Sequence, residues 1–238
     1  MFSHLTYLLQ QSKKQIQFII VRFTRKTIVM KVEIWSDVMC PFCYIGKRRF
    51  EKAVKALSLD NITIEYKSFL LDATLKTDSN ISAQEHLAKA KGISLEEVNK
   101  MYQQVTEMAK GEGLNFDFDK SIVANSFNAH RILHLAKQEG KQEEVKELLL
   151  KTHFEEGKNI DDAPTLEALA EMAGISKDKC TDVLNSDAFS DAVNEDIKMA
   201  REIGVKGVPF FVLEDKYAIS GAQSVEVFKE ALEKAGAE

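Results

Sequence analysis

Residues 31–43 read KVEIW-SDVM-CPFC, and this stretch decides the architecture. Lys31 to Trp35 is a short run that alternates apolar with polar residues, the period of a strand. A turn follows, and Pro41 to Leu57 has the length and punctuation of a helix. Pro41 suits the first helical turn, where its missing N–H would have had no intrahelical partner. Ile62, Ile64 and Tyr66 then alternate with Thr63, Glu65 and Lys67 as a second strand with one face buried. The chain therefore opens β-α-β.

In that setting Cys40 stands at a helix N-terminus, where unpaired N–H groups and the macrodipole favour an anion. The thiolate is the reactive form of cysteine, so Cys40 is the expected nucleophile. Cys43 lies one turn further in on the same side. It is placed to attack a mixed disulfide on Cys40 and release the partner, the role of a resolving thiol. Pro41 and Phe42 lie between the two and are candidate substrate contacts. Two other readings are half of a structural zinc site and a pair of incidental buried thiols. Zinc sites of that kind take four ligands. The chain has no second Cys pair, and His130 and His134 would make an unusual completion, so no metal is expected.

The far end supplies the second half of the fold. Gly207-Val208-Pro209 precedes Phe210 to Leu213, the turn residues Glu214 to Lys216, and Tyr217 to Ser220, which read as a hairpin. A last helix follows, with Ser224 as N-cap and Val225, Phe228 and Leu232 on one face. Proline cannot donate to a sheet ladder, so Pro209 at the start of a strand marks an edge, a turn or a cis bond. A cis bond would leave the Val208 backbone free to pair with an extended substrate beside Cys40. Between the two ends, residues 72–204 far exceed what a strand crossover needs. No proline occurs from Phe42 to Ala163, and capping boxes stand at Ser82/Glu85 and Ser94/Glu97. A helical insertion is expected there.

The 238 residues, 45% hydrophobic and 29% charged, have the composition of a globular protein rather than of a disordered or collagenous one. Three Cys do not make a disulfide framework. The formal net charge is −5, but residues 1–29 carry five bases and no acid. The remainder is therefore at −10, which opposes nucleic-acid binding. The longest apolar run of the leader, Phe18 to Val21, is too short for a secretory signal, and no segment approaches a membrane span. Because Met30 directly precedes the first strand, residues 1–29 are read as a basic extension, unfolded or from an upstream start. A transit peptide or a surface helix is the other reading.

Three motifs then meet a family. Ser36-Asp37-Val38-Met39-Cys40-Pro41-Phe42-Cys43-Tyr44-Ile45-Gly46, Asn125-Ser126-Phe127-Asn128-Ala129-His130-Arg131 and Ile219-Ser220-Gly221-Ala222-Gln223, in that order, resemble the DsbA-like thioredoxin fold. The FrnE-like branch of dithiol-disulfide oxidoreductases and isomerases is the nearer match. The resemblance runs from about Met30 to the C-terminus. It implies an α/β thioredoxin fold, with 30–71 and 205–238 forming the thioredoxin-like domain and 72–204 a helical domain capping the cysteines. It further implies that Val208-Pro209 is a cis-proline site, and that Asn125 and His130 line the site from the cap. The activity implied is thiol-disulfide exchange through Cys40 and Cys43. Its substrate is a disulfide or dithiol in a protein or a small molecule, without metal or organic cofactor. Glutathione is a candidate co-substrate, and glutathione or a thioredoxin-type protein a candidate electron donor. A cytoplasmic monomer or homodimer that binds neither nucleic acid nor membrane is expected.

Two departures qualify the carry-over. DsbA itself has a His between its cysteines, whereas Phe42 cannot donate or carry charge toward Cys40, so a weaker oxidant is expected. The kappa glutathione transferases and chromene-carboxylate isomerases are similar too, but have Ser at the first position. A glutathione-dependent isomerase or transferase is thus the alternative enzyme, and a non-catalytic chaperone-like binding protein the alternative of another class. Among the other residues, Cys180 reads as an inert small residue and His134 as structural. Phe116 and Phe118 read as packing. Lys47, Arg48 and Arg49, and the acidic pairs Glu143/Glu144 and Glu155/Glu156, read as solvated faces.

Overall fold

The computed structural model describes residues 29–237. Except for Val29, the expectation for residues 1–29 lies outside the described residues. Strand β1 (Met30–Ser36) leads through a four-residue turn into helix α1 (Pro41–Ala56), and β2 (Ile62–Ser68) follows. The chain then runs through β3 (Asp78–Ser82), α2 (Ala83–Lys91), α3 (Leu95–Gly111), β4 (Ile122–Val123) and α4 (Phe127–Gln138). Next come α5 (Gln142–Phe154), α6 (Ala163–Met172), α7 (Lys177–Leu184) and α8 (Ser190–Glu202). The hairpin β5 (Phe210–Leu213) and β6 (Tyr217–Ser220) and helix α9 (Val225–Gly236) complete the described chain.

The main sheet has the order β2-β1-β5-β6. β1 pairs parallel with β2, Ile34 opposite Tyr66, and antiparallel with β5, Ile34 opposite Phe211. Alternation along β1 sends Val32 and Ile34 to one face, where they pack with Phe50 of α1, Phe211 and Leu213 of β5 and Phe228 and Leu232 of α9. Trp35 goes to the other face, with Ala200 of α8 and with Val205. Helices thus cover both faces. This is a thioredoxin fold with a large, mainly helical insertion between β2 and β5.

The insertion differs from the expectation in one respect. It contains a two-stranded antiparallel sheet, β3 with β4. β3 is polar and largely exposed and β4 is two residues long, so neither carries an apolar alternation to read. The two capping boxes form as expected at Ser82/Glu85 and Ser94/Glu97. The insertion also closes the outer edge of β2, which would otherwise offer free backbone groups. The Gln142 amide accepts from Tyr66 N–H at 2.9 Å and donates to its carbonyl at 2.8 Å. Ser68 N–H donates to Asp196 of α8 at 2.9 Å.

Candidate active site

Cys40 is the N-cap of α1 and Pro41 occupies its first turn, so the cysteine pair sits where the strand-turn-helix reading puts it. Both cysteines are buried and in the free thiol form. Cys43 N–H donates to the Cys40 carbonyl at 3.0 Å, and Cys40 N–H to the Asp37 carbonyl at 3.2 Å. The Val208–Pro209 peptide is cis, and the Cys40 thiol donates to the Val208 carbonyl across 3.5 Å. Gly46 lets α1 approach this loop, since a Cβ there would stand 2.9 Å from Pro209 Cγ. Phe42 between the cysteines is 41% exposed, as is Leu71 at 53%, which leaves apolar surface at the rim.

The two thiols behave as one titrating pair. Burial would raise Cys43, but the hydrogen bond from Cys40, the charge of Lys146 and the Ser36 hydroxyl outweigh it and pull Cys43 below the ordinary thiol range. The interaction with Cys43, burial and the negative charge of Cys43 push Cys40 up. The charge that the pair can carry is supported from beneath Cys43 by Lys146 and Ser36 and, at Cys40, by the start of α1.

The charged groups around the pair come from the β1–α1 turn and from the insertion. Asp37 in the β1–α1 turn is buried and accepts from Leu71 N–H at 2.8 Å and Met39 N–H at 3.1 Å. Its carboxylate lies 3.5 Å from His130 Nε2 of α4. Burial would raise Asp37, but His130 and the two N–H groups hold it below the usual carboxylate range. Burial lowers His130, with Asp37 opposing. Burial also lowers Lys146 of α5 to about 8 and His153 of α5 to about 4. Three buried polar atoms here, His130 Nε2, Lys146 Nζ and His153 Nδ1, have no hydrogen-bond partner.

Cys40, Cys43, Pro41, Phe42, Val208 and Pro209 are brought together, and His130 reaches the cluster through Asp37. Asn125 sits further back. Its amide donates to Leu75 O at 2.7 Å and accepts from Phe127 N–H at 2.7 Å, so it holds the 70s loop, which begins beside Asp37. His134 faces Asp196 and Ser68, each at 3.1 Å, and supports the sheet. Cys180 is fully buried and burial pushes its thiol up to about 11. Phe116 and Phe118 pack with Tyr44, Tyr102 and Phe154.

The solvated face expected at Lys47, Arg48 and Arg49 is a correction. Lys47 is 4% exposed and pairs with Glu51 and, at 2.9 Å, with Glu147 of α5. Arg48 binds the same two carboxylates, and Arg49 binds Glu112 at 2.6 Å. These pairs clasp α1 to the insertion. Asp37, Lys146 and His153 were not singled out from the sequence. Asp37 lay inside the quoted motif, three residues before Cys40, which was the available signal. Lys146, in a charged helical run, carried none.

The family model for a DSBA-like thioredoxin domain matches residues 31–233. A crystal structure described as that of a probable DsbA oxidoreductase from Streptomyces coelicolor is 35% identical with a TM-score of 0.82, covering 88% of this chain and 91% of that one. The uncharacterized protein YwbO of Bacillus subtilis is 26% identical over 86% of this chain and 96% of its own length. The cytosolic disulfide reductase DsbM of Pseudomonas aeruginosa, solved also with glutathione, shares the fold at 15% identity and a TM-score of 0.63. DsbM alone covers 86% of this chain and 95% of its own. On the extent of the family match and the Streptomyces likeness, which agree with the sheet order and the cysteine-bearing helix, the chain belongs to the DsbA-like thioredoxin family.

Proposed function

We propose that this protein exchanges disulfides through Cys40 and Cys43. The Cys40 thiolate attacks one sulfur of a substrate disulfide, the other substrate sulfur leaves as a thiolate, and a mixed disulfide remains on Cys40. Cys43 then attacks Cys40 Sγ, the second substrate thiolate leaves, and the Cys40–Cys43 disulfide forms. A dithiol or two glutathiones reverse these steps and return the enzyme to the dithiol.

One observation carries the reading: an N-capping Cys40 whose sulfur lies 3.5 Å from the carbonyl before a cis proline, with a second thiol one turn inside. The Val208 backbone offers an edge on which an extended peptide or the glutathione backbone can pair. Residues 72–204 act as the cap, and Phe42 and Leu71 supply apolar contact at the rim. Glutathione or a thioredoxin-type protein serves as electron donor in a reducing cytoplasm, in keeping with the cytosolic DsbM fold relative.

The test is a glutathione redox series read by mass after alkylation, with Cys43→Ala challenged in parallel. A reversible two-electron transition and a stable adduct on Cys40 are expected. No disulfide at any poise, with glutathione bound only non-covalently, would sink exchange and leave the glutathione-dependent isomerase.

A further inference from the structure

An edge made of backbone can pair with an extended substrate only if the loop that carries it is held in a fixed place beside Cys40. Part of that hold on the Pro209 loop is local. Strands β5 and β6 pair as far as Phe210 opposite Ser220, and one step beyond the ladder Gly221 N–H donates to the Pro209 carbonyl at 2.8 Å. The turn at residues 221–223 is thereby tied to the loop next to the cysteine pair. Gly221 enters that turn at φ +84°, a left-handed conformation that favours glycine.

The same turn is fastened to α1. Gly46 lets it come close, since a Cβ there would stand 3.4 Å from Ala222 Cα. Arg49, three residues further along that face of the helix, donates from Nη1 to the Ala222 carbonyl at 2.7 Å. Its Nε donates at 2.6 Å to Glu112, the residue that ends α3 of the insertion. Lys52 takes the second oxygen of Glu112, also at 2.6 Å. The guanidinium presents its donors in a rigid planar fork, so Glu112 fixes the direction in which Nη1 points. A continuous chain of hydrogen bonds and covalent neighbours therefore runs from Glu112 through Arg49, Ala222 and Gly221 to the Pro209 carbonyl.

We propose, on the exchange reading of the previous section, that Arg49 is a positioning residue for the substrate. By holding Ala222 it sets the Pro209 loop where the Val208 backbone can pair with an extended disulfide substrate. Glu112 orients Arg49, so the insertion reaches this edge through α3. Arg49 acts on the loop and not on the thiols. A disulfide that carries backbone amides gains from the edge, and a disulfide without amides gains nothing. The pairing serves attack and return alike, so loss of Arg49 leaves the glutathione equilibrium of Cys40 and Cys43 where it was.

The test compares two reagents, glutathione disulfide, which has amides, and bis(2-hydroxyethyl) disulfide, which has none. Each is mixed rapidly with the reduced protein and quenched in acid, and loss of the dithiol is read by mass. Arg49→Met should lower the rate with glutathione disulfide, relative to the rate with hydroxyethyl disulfide, by about tenfold, the worth of one or two backbone hydrogen bonds. Arg49→Lys keeps the charge and can pair with Glu112, but has no planar fork to serve Glu112 and Ala222 together. It should show the same selective loss, and it provides the test should the Met variant not fold. Lys52→Met removes the other cation on Glu112 without touching Ala222 and should keep the wild-type ratio of the two rates. The wild-type ratio in the Arg49 variants, a shifted glutathione equilibrium in them, or the same loss in Lys52→Met would overturn the positioning role while leaving exchange intact. A wild type that forms no disulfide with either reagent would instead remove the exchange reading itself.

Discussion

The two sides of α1 are built from opposite materials. Toward the sheet, Phe50 and Ala53 meet Phe211 and Phe228, with ring centroids 5.3 Å and 5.6 Å from Phe50. That cluster is built of apolar and aromatic side chains. Toward the insertion, Lys47 and Arg48 pair with Glu147, Asp37 faces His130 and acts by its charge on His153, and the charge of Lys146 acts on Cys43. The first side derives its stability from apolar area and geometry, which pH does not alter. The second side puts charge where water is excluded, which makes it sensitive to protonation and gives it control over two thiols. One helix thus joins a pH-indifferent scaffold to a titrating seam.

The largest expected effect lies on the apolar side. Phe50→Ala should cost about 4 kcal/mol, as truncation of a buried aromatic does, and by the same amount at every pH between neutral and mildly acidic. Urea unfolding at two pH values measures it, and a strongly pH-dependent loss would break the contrast. Next comes His153. Its folded pKa is depressed to about 4 from 6.5, so the folded state binds fewer protons than the unfolded one across that window. The associated stability is whole above pH 6.5 and is lost as pH falls toward 4, about 3 kcal/mol in all. His153→Phe should flatten that decline in a thermal series over the same range. The smallest effect concerns the clasp. Burial would raise Glu147, but Arg48 and Lys47 outweigh it and hold Glu147 at about 2, so its contribution persists above pH 4.5 and fades as pH falls to 2. Glu147→Gln leaves Lys47 buried with Glu51 alone. It should cost about 2 kcal/mol at neutral pH, less than a fully buried pair because the carboxylate is partly solvated. The deficit should shrink in acid, and chemical denaturation at neutral and acid pH reads it.

Much of the scaffold was legible because its signals are local. The alternation of Ile62, Ile64 and Tyr66, Pro41 in the first turn, the capping boxes and Ser224 as N-cap each need only a few neighbouring residues, and each formed. β3 and β4 escaped notice because nothing apolar repeats in them. Lys47, Arg48 and Arg49 read as solvated because three consecutive cations on a helix usually are. Their partners Glu112 and Glu147 lie 63 to 100 residues away, and only folding brings them near.

By itself the sequence determined the β-α-β opening, the position of Cys40 and Cys43 at a helix start, the hairpin after Pro209 and the insertion between them, since backbone geometry and apolar period act over a few residues. Tertiary structure alone decided which charges surround the two thiols. That outcome depends on Asp37, His130, Lys146 and His153 converging on one dry space, and electrostatic energy follows distance and burial, neither of which a position in the chain reveals.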